Sequence, residues 1–132
     1  MITSIKKDVL ATVYSLLKTA FNSYSNVVVA FGALDISDYS KNYIWFSEIS
    51  TETNYYDRNF VEFSIDVHVY SKSFSKATEL AEIIEQELDK KNLGSHNIFS
   101  VFLTCNWLIE IFGSEQLYHY VLTFNLRNKE VE

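Results

Sequence analysis

At 132 residues the chain has room for one domain with a real core and none for a second. Its 48% hydrophobic and 21% charged residues are those of a globular chain, which excludes a disordered one. A net charge of −6 argues against affinity for phosphate backbones, and a single cysteine, Cys105, excludes an internal disulfide.

Proline is absent and the glycines are three, Gly32, Gly94 and Gly113, so turns are sparsely marked. Nine tyrosines and ten phenylalanines exceed what a small core uses, and aromatic rings are favoured where subunits meet. The opening MITSIKKDVL mixes charges with apolar residues and does not read as a signal peptide. No stretch is apolar over the length a membrane helix needs.

The first expected element is a helix from Ser4 to about Asn22, capped by Thr3 or Ser4, with Ile2, Ile5, Val9, Val13, Leu16, Leu17 and Ala20 in one stripe. Asn26–Phe31 carries Val27, Val28 and Val29 in succession and reads as a strand buried on both faces, closed by Gly32. DISDYSKN over Asp35–Asn42 is a polar turn. Tyr43–Ile49 is a second strand, apolar on both faces. STETNYYDRN over Ser50–Asn59 is a polar loop that carries Tyr55 and Tyr56.

Phe60–Tyr70 gives the clearest strand. Val61, Phe63, Ile65, Val67 and Val69 alternate with Glu62, Ser64, Asp66 and His68, so one face packs and the other meets water or a partner. A second helix, capped by Ser73 or Ser75, runs to about Lys91 with Ala77, Leu80, Ala81, Ile84 and Leu88 inward, and Leu93-Gly94 ends it. Two further strands, Ile98–Phe112 and Leu117–Arg127, flank a GSEQ hairpin loop. Val101, Leu103, Cys105, Trp107 and Ile109 are expected on one face of the first. The order α-β-β-β-α-β-β predicts an α+β fold, a mostly antiparallel sheet with two helices on one face.

The residues offer little chemistry. His68, His96 and His119 are scattered with no partner at metal-ligand spacing, and the plain reading is exposed or hydrogen-bonded imidazoles. Glu62 and Asp66 share a strand face, and Glu48 could join them as a metal or acid–base set. The lysine a nuclease site would need beside them is missing, so solvated strand-face charge is the expectation. Cys105 alternates with apolar residues and is expected to be a buried, inert thiol. No phosphate-cradling or nucleophile-elbow motif occurs. The acidic open face likewise argues against an RNA-recognition surface.

In element order and in the segment VHVYSKSFSKATELAEIIEQELDKKNLG, Val67–Gly94, the chain resembles the tail terminator (tail-completion, tail-to-head joining) proteins of long-tailed bacteriophages. The resemblance implies that residues 1–132 are one tail-terminator-like domain and a structural, non-enzymatic virion protein without cofactors. It implies a homo-oligomeric ring, a hexamer, that caps the tail tube in the phage neck and joins it to the head connector or stopper protein. DNA would pass through its lumen without specific binding, and assembly would take place in the host cytoplasm. Another head-completion or injection-system ring subunit is the alternative, and a metal-dependent hydrolase using Glu62 and Asp66 the remote one. A ring needs contact surfaces. The expected ones are Tyr39, Tyr55 and Tyr56 in polar loops, and Glu62, Asp66 and His68 on the outward strand face.

Overall fold

The structure, a computed structural model, describes residues 2–32, 34–48, 54–57, 60–93 and 98–128. Helix α1 is Ile2–Ala20 and helix α2 is Phe74–Leu88. The strands are β1 Val27–Phe31, β2 Asn42–Glu48, β3 Asn54–Asp57, β4 Phe60–Ser71, β5 Ile98–Phe112 and β6 Glu115–Asn128. They form one six-stranded sheet in the order β1-β2-β4-β6-β5, with β3 paired to β4 beyond the end of β2. Only β1 and β2 run parallel; the other pairs are antiparallel. This is the expected α+β architecture, with one short strand, β3, added inside the expected loop.

Both helices cover the same face because each carries one apolar stripe. Val9, Val13 and Leu17 of α1 recur every four residues, with Phe21 just past its end in the same stripe, and Ala77, Leu80, Ala81, Ile84 and Leu88 form the stripe of α2. They close over Phe63, Ile65, Val67 and Val69 of β4, none more than 2% exposed, and over Leu122, Phe124 and Leu126 of β6. Each such side chain contributes about 1.5–3 kcal/mol by leaving water. Val61, the first residue of that stripe, has a side chain outside the described set.

Several boundaries differ from expectation. Helix α1 begins at Ile2, which puts Thr3 and Ser4 inside its first turn and not at a cap. Helix α2 is capped by Ser73, whose hydroxyl accepts from Lys76 N at 3.1 Å. It stops at Leu88, not near Lys91, because Asp89 turns to extended backbone and Lys90 takes a positive φ of 60°. The freed segment then pairs with β5: Lys90 N donates to Ser100 O at 2.7 Å, Leu93 N to Ile98 O at 2.7 Å, and Ser100 Oγ to Leu88 O. Gly94 lies outside the described residues. Strand β1 is an edge strand rather than one buried on both faces, with Val29 buried and Phe31 56% exposed. Strand β6 begins at Glu115, so the β5–β6 loop is Gly113-Ser114, and Gly113 at φ 63° fills the first position of that tight turn.

The phase of β5 also changes. A bulge between Phe102 and Thr104 lets Ile98, Ser100 and Phe102 share the helical face with Cys105, Trp107 and Ile109. Val101, paired with Asn125, therefore faces away from Cys105, Trp107 and Ile109, against the single alternation expected.

Candidate interaction surfaces

The face turned away from the helices is built from Tyr43, Trp45 and Ser47 of β2, the even-numbered residues of β4 and the odd-numbered residues of β6. At one end the β1–β2 crossover lies over it. Asp38 holds that loop in shape, accepting from Ser40 N at 3.0 Å, while Tyr43 Oη donates to Asp38 O at 3.0 Å. Leu34, Ile36 and Tyr39 then pack on buried Tyr43, Tyr70 and Leu117. Tyr39 is half-buried, its ring 6.3 Å from that of Phe112.

Across this face runs a polar chain that spans three strands, β5, β6 and β4, and reaches β2 through a stacked ring. His119 Nδ1 lies 2.6 Å from Glu110 Oε1, and His119 Nε2 lies 2.7 Å from His68 Nδ1. A carboxylate only accepts, so His119 Nδ1 carries a proton, and the two imidazoles share one proton between Nε2 and Nδ1. Trp45 stacks on His68 at 3.9 Å and Tyr70 on His119 at 4.0 Å. Burial, then the neighbouring His119, pushes the His68 pKa down to about 4. Burial, then Glu110, pushes Tyr70 up to about 12. The chain ties β2, β4, β6 and β5 together. Sequence placed His68 on the outward face of its strand and read His119 as an exposed or hydrogen-bonded imidazole, but only the β4–β6 register brings them into contact; His96 lies outside the described residues.

The carboxylates do not form a site. Asp66 accepts from Thr123 Oγ1 at 2.6 Å, and Glu62 lies 4.0 Å from Arg127. Glu48 pairs with Ile65, so it points to the helical face, where it binds Lys6 at 2.7 Å. It cannot join Glu62 and Asp66, because strand parity puts it on the other side. Among the described residues no group of three or more His, Cys, Asp or Glu is arranged to hold a metal. Tyr55 and Tyr56 belong to β3, which pairs with β4, and not to a loop.

The signal that sequence reasoning missed is at the sheet margins. On β5, Leu103 is 51% exposed, Trp107 50%, Leu108 44%, Ile109 47% and Ile111 74%. The strand pairs with β6 on one side and bounds the sheet order on the other. Cys105 is exposed here instead of buried, because β5 is the marginal strand and α2, which packs mainly on β6 and β4, only borders it. Partial shielding and Glu85 push its thiol pKa up, so it is no activated nucleophile. At the opposite margin, Leu10, Ala11 and Tyr14 of α1 and Phe31 of β1 line an apolar groove of about 430 Å³, rimmed by Lys6 and Lys7.

Among the described residues no helix is long and apolar enough to cross a membrane. No family model and no curated protein matches the sequence. Among solved structures, the chain is similar to one from the virion of a native gene transfer agent (GTA) particle. The TM-score is 0.57 at 15% identity, over 89% of this chain and 91% of that one. At that identity the likeness concerns the fold.

Proposed function

We propose that this chain is a non-enzymatic structural subunit of a phage-like virion, a tail terminator whose copies close into a ring, a hexamer, at the neck. The observation that carries this reading is β5. A long edge strand with five large apolar side chains 44–74% exposed is an aggregation hazard in a monomer and a contact surface in an assembly. A fold shared along nearly the whole length with a chain from a gene transfer agent virion supports the same reading. So does the composition, because an acidic chain lining a lumen does not retard DNA.

In this reading residues 1–132 act as one tail-terminator-like domain. The ring caps the finished tail tube, meets the head connector or stopper protein on its other side and resides in the virion after assembly in the host cytoplasm. Lateral contacts use the sheet margins. Axial docking uses the end of the sheet where β3 meets β4, with Tyr55, Tyr56 and Glu62 as contact residues there and Asp66 further along β4. Tyr39 and His68, the remaining expected contacts, spend most of their surface within the chain itself.

The test is native mass measurement of the purified protein, alone and mixed with tail tubes, together with electron microscopy of the tubes. Rings seated at tube ends that stop further tube growth are the expected result. A chain that stays monomeric with tubes present, or that binds only to heads, overturns the terminator assignment.

A further inference from the structure

The two margins of the helical face differ in charge as well as in shape. Helix α1 packs on β1, while α2 packs on β6 and β4 and reaches β5, so α1 borders one margin and α2 the other. Helix α1 carries Lys6, Lys7 and Lys18 against a single Asp8, and with Lys6 paired to Glu48 the charge at the groove rests on Lys7. Helix α2 carries Glu79, Glu82, Glu85 and Glu87 against a single Lys76. Exposed Glu82 and Glu85 stand directly beside Cys105. Exposed Lys7 stands at the rim of the α1–β1 groove. One margin is therefore a projecting apolar ridge with an acidic border, and the other is an apolar recess with a basic border.

We propose that copies of this chain meet head to tail, the β5 ridge of one copy seated in the α1–β1 groove of the next. This deepens the ring reading and rests on it. The occupant of the groove is a second copy, because the ridge matches it in charge and in apolar character. The recess, about 430 Å³, has room for an indole and an adjoining aliphatic side chain, which Trp107 and Ile109 present together. A two-fold contact between two β5 ridges would bring Glu82 and Glu85 of both copies together and leave both grooves empty. A ridge-to-groove contact pairs unlike surfaces, and repetition of an unlike contact generates a ring when the rotation closes. Trp107, packed on one side against Phe74 at 5.1 Å and half exposed on the other, is the anchor of the contact, and the pairing of Lys7 with Glu85 sets its register.

The single native cysteine lies on the ridge, which makes the contact directly readable. Ala11, exposed in the groove, is changed to Cys with Cys105 kept, and the protein is oxidised with copper phenanthroline. A ladder of dimers, trimers and higher species on a denaturing gel is expected. It should be absent from wild type and from the variant that combines Ala11→Cys with Cys105→Ser. Native mass of the unoxidised wild type separates the two ideas. An oligomer that gives no ladder, or one in which wild-type Cys105 joins to Cys105 as a dimer, overturns the ridge-to-groove contact and leaves the ring standing. A chain that is monomeric throughout overturns the ring and the contact with it.

Reciprocal charge variants give a second reading that needs no cysteine. Lys7→Glu alone and Glu85→Lys alone should each raise the protein concentration needed for assembly about tenfold, and the double variant should recover it. Failure of the double variant to recover, with circular dichroism unchanged, also overturns the contact.

Discussion

Strands β4 and β5 are both long and both rich in aliphatic and aromatic residues, yet they meet opposite fates. On β4, Phe63, Ile65, Val67 and Val69 are buried to 2% exposure or less, while on β5 Trp107, Leu108, Ile109 and Ile111 remain 44–74% exposed. Strand β4 has a neighbour on each side and two helical stripes above it. Strand β5 has one strand neighbour, β6; Lys90–Leu93 pairs only with its first residues, and α2 borders it without covering it. The lesson is that apolar character in a strand states a need for cover, and position in the sheet decides whether the chain or another molecule supplies it.

The sharpest way to break the contrast is to put a charge on the covered strand. Val67→Asp places an unpaired carboxylate in a site with no exposure and should cost about 4 kcal/mol or more, read by urea denaturation. A variant that melts like wild type would show that this face is not the core.

A smaller effect comes from pH, through the chain that ties β4 to β5. His68 is faced by Trp45 from β2, Asp66 on its own strand, His119 from β6 and, through His119, Glu110 from β5. Its folded pKa of about 4 lies below the ordinary 6.5, so the unfolded chain takes a proton that the folded chain refuses. The stability His68 allows is therefore whole above pH 6.5 and is lost progressively as pH falls to about 4. With the ring only half-buried, a loss of about 1–2 kcal/mol is expected, after solvent screening. Urea midpoints at pH 7.5 and 4.5 measure it, and His68→Phe should flatten that part of the slope. A wild-type midpoint that does not move between these values would remove the linkage.

On β5 the expected change in fold is smaller still, while the change in assembly is large. Ile109→Ser with Ile111→Ser should shift monomer stability by about 1 kcal/mol or less, since both side chains already meet water. The same variant should no longer form rings by native mass measurement. If instead the fold collapses, these residues belong to the core of the monomer.

Least of all should the fold feel Tyr55→Ala with Tyr56→Ala, at about 0.5 kcal/mol. That double variant should close rings and fail to dock on tail tubes. Full capping activity would move the axial contact elsewhere.

Much of this was legible in the chain. The helical stripes around Val13 and Ile84 and the alternation through Phe63, Ile65 and Val67 fix which faces turn inward, because a period of 3.6 or of two is a local property. Those periods determined the two helices, the long strands and the α+β class. They could not determine the phase of IFSVFLTCNWLIEIF, which is apolar in both registers, so the bulge at Phe102–Thr104 and the exposure of Cys105 came only with the fold. Tertiary structure alone also put Glu48 across the sheet from Asp66, set His68 beside His119 from a strand 51 residues away, and left β5 at the margin. Each of these depends on strand order and pairing register, which long-range contacts select and no local pattern encodes.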